Sequence, residues 1–246
     1  MDVVKRDRFI ALWRRFFNDA ELPITFYYSK DNCRIPLVRE AKGHTCIIAQ
    51  LLKVRRGESL CFSESSIGCG GGKHYLGYKE VVNGRFNYFL SHGEDWECGE
   101  RYKRTPGQVE AIMKELPLLP REGDFIVFKR WDRLEEEDCP EVVVFMGNPD
   151  VISGLFTWVN FDSTVSDAVI APFGAGCTSI IYHPYREQIE GRKRAVIGMF
   201  DPSARKCMDA DLLSLAIPMN KFMEMIDQMD ESFLITDTWM KIQRRI

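Results

Sequence analysis

No two of the eight cysteines, Cys33, Cys46, Cys61, Cys69, Cys98, Cys139, Cys177 and Cys207, are separated by only two residues. Zinc fingers, zinc ribbons and thioredoxin-like sites start from such a close pair, and a bacterial ferredoxin run needs three cysteines at three-residue spacing. These patterns are excluded, so no local metal or disulfide staple organises the fold. The chain must stand on its own hydrophobic core. At 246 residues with 45% hydrophobic side chains it is able to do so, since a chain of this length buries roughly three quarters of the surface it exposes when unfolded. Any metal or cluster would draw its ligands from distant segments that meet only in the folded state.

The compartment decides what the thiols can mean. The charged start Asp2 to Arg8 runs into Phe9-Ile10-Ala11-Leu12-Trp13 and then Arg14-Arg15, leaving no apolar core of signal-peptide length. The densest later apolar run, Val142 to Met146, falls far short of the roughly 18 residues of a membrane span. A cytoplasmic protein with no membrane partner is expected. In a reducing cytosol the cysteines read as small buried hydrophobes, metal ligands or redox groups, not as a disulfide framework. The net charge of −3, from 33 basic and 36 acidic residues, gives no electrostatic footprint for nucleic acid.

Hydrophobic periodicity and punctuation predict helices over 7–18, 45–54, 151–160, 220–229 and 232–243. A further helix opens at Thr105-Pro106, a capping hydroxyl followed by a first-turn proline, and ends at Pro117. The 45–54 helix ends in a basic last turn, Arg55-Arg56, before a C-cap glycine, Gly57. Strands are predicted over 24–29, 59–63, 124–129, 141–146, 194–199 and 212–217. Lys73 to Gly77 reads as a short helix, and the acidic run Glu135 to Asp138 as a solvated turn. Helices and strands interleave without a strict βαβ repeat, which points to an α+β fold with a mixed sheet. With no repeat and no long linker, residues 1–246 read as a single domain.

Gly68-Cys69-Gly70-Gly71-Gly72 is the densest glycine cluster, yet it fits neither a Walker loop, which would need Gly at Ile67 and Ser or Thr at His74, nor a dinucleotide fingerprint, which would need Gly at Lys73. Its remaining readings are a tight turn or a set of backbone N–H groups open to an anion. Cys69 has around it no large side chains to bury it, and Cys177, between Gly174-Ala175-Gly176 and Thr178, has a similar setting. Cys46 stands at a helix start, where the helix dipole favours a thiolate. An inert structural role and a ligand or reactive-thiol role both fit the three. His74 is the nearest histidine to Cys69 but reads first as a packing residue, and Arg186 with Glu187 as a surface ion pair. No serine-nucleophile elbow or zinc-protease helix is present, so no catalytic residue is assigned.

The run Gly68 to Gly72 with Tyr75-Leu76-Gly77, the phrase Val142 to Phe145 with Asn148-Pro149-Asp150, Ala171 to Cys177 with Pro184, and Gly198 to Arg205 together resemble the uncharacterised prokaryotic family called domain of unknown function 169. The similarity runs from about Cys46 to Arg245. It implies a soluble domain whose pattern includes cysteines at Cys46, Cys69 and Cys177. The other five would be bystanders. Three such cysteines suggest an iron–sulfur cluster or another thiophilic metal ion, held by Cys46, Cys69 and Cys177, with a redox or cluster-dependent role and a redox partner or small-molecule ligand. The alternative is a small-anion or nucleotide-like ligand module shaped by Gly70, Gly71, Gly72, Gly174 and Gly176, without metal.

Overall fold

The computed structural model describes residues 1–31, 34–80, 85–94 and 99–246. Cys33 and Cys98 lie outside these residues. In chain order the helices are α1 (Val3–Phe17), α2 (Ile47–Arg55), α3 (Gly70–Tyr75), α4 (Arg85–Phe89), α5 (Pro106–Glu115), α6 (Pro149–Val159), α7 (His183–Ile189), α8 (Pro202–Arg205), α9 (Met219–Asp227) and α10 (Asp237–Gln243). The strands are β1 (Ile24–Ser29), β2 (Leu60–Phe62), β3 (Phe125–Arg130), β4 (Val142–Gly147), β5 (Val169–Ile170), β6 (Ala195–Gly198) and β7 (Leu213–Pro218).

Among the described residues these seven strands form one mixed sheet in the order β2-β3-β1-β4-β7-β6-β5. The β5–β6 pair is parallel and the other pairs are antiparallel. The architecture is α+β. The run of valines in β4 explains how the layers form. Val142, Val144 and Met146 enter one core with α2, the α3 end and α7, while Val143 and Phe145 enter a second core with α1, α6, α9 and α10. A central strand covered on both faces has no polar side to show, so it reads as a continuous apolar run.

Punctuation set most helix boundaries as expected. Thr105 accepts from Gln108 N at 3.3 Å and Gln108 Oε1 accepts from Thr105 N at 3.1 Å, closing a capping box over Pro106. Asn148 caps α6 through Val151 N at 3.0 Å, and Gly57, at φ +97°, follows α2 in the left-handed conformation its end requires. Helix α1 starts four residues earlier than its apolar stripe predicts, because Asp2 accepts from Val4 N and Lys5 N. The predicted 232–243 helix is broken: a 3₁₀ turn at Phe233–Ile235 precedes α10, which Thr236 caps separately.

The acidic run is a turn with Glu135, Glu136 and Glu137 exposed, as expected, but its last residue is not solvated. Asp138 is buried, 2.8 Å from the buried Lys129 ammonium, and accepts from the Tyr27 hydroxyl. A charged residue predicts solvation only when no buried counter-charge faces it, and for Asp138 that counter-charge is Lys129 of β3.

Candidate thiol site

All three singled-out cysteines sit at the starts of helical segments on the α2–α7 side of the sheet. Cys46 is the N-cap of α2 and Cys69 the N-cap of α3, where its Sγ accepts from Gly72 N at 3.4 Å. Cys177 leads into a turn of π-helix, Thr178–Tyr182, that continues as α7. Sequence periodicity missed this segment; π-turns occur mostly as local insertions and are frequent at functional sites.

Two glycines bring the three loops together. A Cβ on Gly68 would collide with Gly43 O and lie 2.8 Å from Thr45 N, so the absence of a side chain lets the strand of chain leading to Cys46 press against the loop of Cys69. A Cβ on Gly176 would lie 2.7 Å from the Ala204 Cβ, 3.1 Å from Met199 Sδ and 3.5 Å from Ile48 Cγ1, so the loop of Cys177 packs onto both α8 and α2. Gly174 similarly faces the Thr178 side chain. The space beside Gly174 and Gly176 is thus filled by the protein itself. Over Gly70 it is open, and Gly71 meets Phe86 and Tyr75 at ordinary contact distance. Gly72 is tighter, with Ile67 Cγ2 3.2 Å from its would-be Cβ. Gly68 did not stand out from its cluster, since close backbone approach to a distant segment leaves no local signal.

The cysteine loop is anchored by Asp201, whose Oδ2 accepts from Gly176 N at 3.0 Å while Oδ1 accepts from Ser203 N at 2.9 Å. Ser179 adds a second tie, donating to Gly176 O and accepting from Met199 N. Burial pushes the Cys177 thiol well above its ordinary pKa, and Cys69, Cys46 and Asp201 raise it further through negative charge. Cys69 and Cys46 are thus both electrostatic neighbours of Cys177. Tyr75 is another: burial holds its phenol up, with Cys177 and Cys69 the next causes, and its hydroxyl donates to Met113 Sδ at 3.6 Å.

The expectation that the helix start would favour a Cys46 thiolate is corrected. Burial raises its pKa; the Ile48 and Ala49 N–H groups pull the other way but make no capping bond to it. Cys207, half-buried like Cys46, has its side chain beside that of Cys46. Cys61 is buried on β2 in the small cluster of Tyr27 and Val127, on the opposite face of the sheet, and Cys139 is exposed. His74 is buried with Nε2 2.9 Å from Leu116 O, a packing role. Arg186 pairs with Glu190 at 2.7 Å, and the buried Glu187 holds Arg192 and Arg194.

Among the described residues, no three His, Cys, Asp or Glu side chains are gathered as a ligand set for a single metal ion. A cleft of about 820 Å³ opens beside Gly68, lined by His44, Lys73, Tyr78 and Arg121. Its cations are engaged: Lys73 lies 3.7 Å from Glu64, and Arg121 3.0 Å from Asp124.

The family model described as "Uncharacterised ArCR", DUF169, matches residues 16–228. The chain is a member of the DUF169 family. The match begins inside α1 and stops before α10, so it holds the whole sheet and all three singled-out cysteines of this DUF169 protein, and it extends further toward the N-terminus than the motif resemblance did. No curated protein and no solved structure matches the chain. No helix among the described residues is long and apolar enough to cross a membrane.

Proposed function

We propose that this DUF169 protein binds an iron–sulfur cluster through Cys46, Cys69 and Cys177 and that its role depends on that cluster. One observation carries the reading: the buried Cys177 has Cys69 and Cys46, from two other loops, as electrostatic neighbours. Thiolates are the donors such clusters take. A cluster and a single ion ask different things of their ligands. A tetrahedral ion draws its sulfurs to about 2.3 Å from a single centre, whereas cluster ligands sit on different iron atoms and stand further apart. When bound, a cluster supplies one-electron transfer or an iron Lewis acid.

The chain's own residues would tune it. The Gly72 N–H donated to Cys69 Sγ is the kind of hydrogen bond that shifts a cluster's potential, and the apolar surroundings of Cys177 limit solvent access. Each thiol must lose its proton on ligation. The anion-module alternative gains no support from the cleft, whose Lys73 and Arg121 already have carboxylate partners.

The test is anaerobic purification, followed by iron and sulfide analysis and the visible spectrum. Iron and sulfide in comparable amounts with a broad visible absorbance that bleaches on reduction are expected. Folded protein that takes up neither, even after anaerobic reconstitution with iron and sulfide, removes the cluster; iron or zinc bound without sulfide replaces it with a thiophilic metal ion.

A further inference from the structure

We infer that the aromatic and basic surface beside the Cys177 loop docks a small acidic electron-carrier protein. That the partner carries electrons rests on the cluster reading, whereas the docking face stands on its own residues. Phe89, Phe173 and Phe200 are 50%, 57% and 57% exposed. Exposed apolar side chains scattered singly are ordinary, but a gathered group rimmed by charge marks an interaction site. These three are gathered. Phe89 ends α4, a helix that buries none of its residues, and Glu100 N and Lys103 N donate to Phe89 O and Leu90 O at 2.7 and 3.1 Å, laying the segment 100–103 along that end. Lys103 Nζ then stands 4.1 Å from the centre of the Phe173 ring. Phe200 joins from a third segment, since its neighbour Asp201 accepts from Gly176 N, in the same loop as Phe173.

Charge indicates what covers this face. The chain carries a net −3, yet Arg101, Lys103 and Arg104 put three cations into four residues. Arg101 and Arg104 are exposed, and no carboxylate of the described residues pairs with Lys103 or Arg104. An apolar centre edged with cations is met by a partner whose own apolar patch is edged with carboxylates, and such opposed charges steer encounter more than they add affinity.

A second copy of this chain fits poorly, because a twofold contact would set the same cations against one another. A nucleic-acid backbone also fits poorly, since Glu94 and Glu100 interrupt the positive track and Glu94 already lies 3.9 Å from Arg85. A one-electron centre at Cys177 needs a carrier that approaches closely and leaves quickly, and small, charge-steered interfaces suit that exchange. Phe173 stands in the loop that leads into Cys177, so a carrier seated on it is brought to the thiol site.

The experiment titrates the whole chain, purified anaerobically, with an acidic plant-type ferredoxin and with a flavodoxin, and reads the dissociation constant by calorimetry at low and at high salt. The variants are Lys103→Glu combined with Arg104→Glu, Phe173→Ser, Phe200→Ser, and as control Lys241→Glu, exposed on α10 across the sheet. Far-ultraviolet circular dichroism and the thermal midpoint check folding. Binding of either carrier at low salt that fades at high salt is expected. The double reversal should weaken it by about tenfold or more and remove most of its salt dependence. Either serine variant should weaken it with the salt dependence kept, and Lys241→Glu should leave it unchanged. Failure of both carriers to bind overturns the docking face, and so does binding that survives the double reversal and both serine variants. Dimerisation in sedimentation that Phe173→Ser abolishes gives the face to a second copy and overturns the proposal. Binding to phosphatidylglycerol vesicles or to a single-stranded oligonucleotide, with neither carrier bound, overturns it as well. Should the reversal variant fail to fold, Lys103→Ala with Arg104→Ala decides by the same titration. Iron and sulfide analysis of the same preparation, before and after reconstitution, keeps the two readings apart. Carrier binding by a chain that loads no cluster upholds the docking face and removes the cluster, and a loaded chain that binds neither carrier does the reverse.

Discussion

Lys129 Nζ lies 2.8 Å from Asp138 Oδ2, and both side chains are about 5% exposed. Burial pulls the Lys129 pKa down, but its bonds to Asp138 and Glu135 outweigh this and leave it above the ordinary value. Removing one partner strands a buried charge, which typically costs about 3–5 kcal/mol. Asp138→Ala should therefore lower the denaturant midpoint sharply, and the double variant Lys129→Met, Asp138→Leu should recover much of the loss. A single variant as stable as the wild type would show that the pair is solvated after all.

The two glycines that close the thiol site should respond differently from the one that faces open space. Gly68→Ala drives a Cβ into the backbone of residues 43–45, and Gly176→Ala drives one into Ala204 and Met199. Overpacking of this kind costs about 1–3 kcal/mol. Gly70→Ala, at the exposed first position of α3 with nothing within 4 Å, should be neutral or stabilising by up to about 1 kcal/mol. Thermal or urea unfolding of the three variants ranks them; equal effects would mean that the close approach at Gly68 and Gly176 is not real.

Glu141 gives stability a pH dependence. Burial pushes its carboxyl up to about 7, against the pull of the Tyr28 N–H that it accepts at 2.8 Å. A carboxyl with a folded pKa above its unfolded one keeps its proton longer in the folded state. Folding is then favoured below about pH 4.5 relative to higher pH, and this advantage is lost as pH rises to about 7. The wild type should lose roughly 1–3 kcal/mol relative to Glu141→Gln across that window. Parallel urea midpoints for the two proteins between pH 4.5 and 8 would refute the assignment.

Native alkylation should sort the thiols by burial. Among the described residues Cys139 is exposed and should react first, Cys46, Cys69 and Cys207 are half-buried and should follow, and Cys61 and Cys177 should remain protected until the protein unfolds. Cys177 is doubly protected, because burial also holds its thiol in the unreactive protonated form. Peptide mass spectrometry after timed iodoacetamide exposure reads the order, and labelling of Cys177 at the rate of Cys139 would contradict the placement.

The amino-acid sequence by itself determined the parts of this protein that depend on neighbours in the chain. Thr105-Pro106, Asn148-Pro149 and Gly57 announce helix ends because capping is satisfied within a few residues. The unbroken apolar run of β4 announced a buried strand, and ordered glycine, proline and cysteine motifs were enough to point to the DUF169 family. What only the tertiary structure decided depends on groups far apart in sequence. Lys129 draws the last residue of an acidic turn, Asp138, into a buried pair, and Gly68 and Gly176 are required by backbone and side chains from other segments. Cys207 stands beside Cys46 only because the loop after α8 folds back onto α2. Local propensity carries no record of such meetings, since they are set by how the helical layer packs across one face of the sheet.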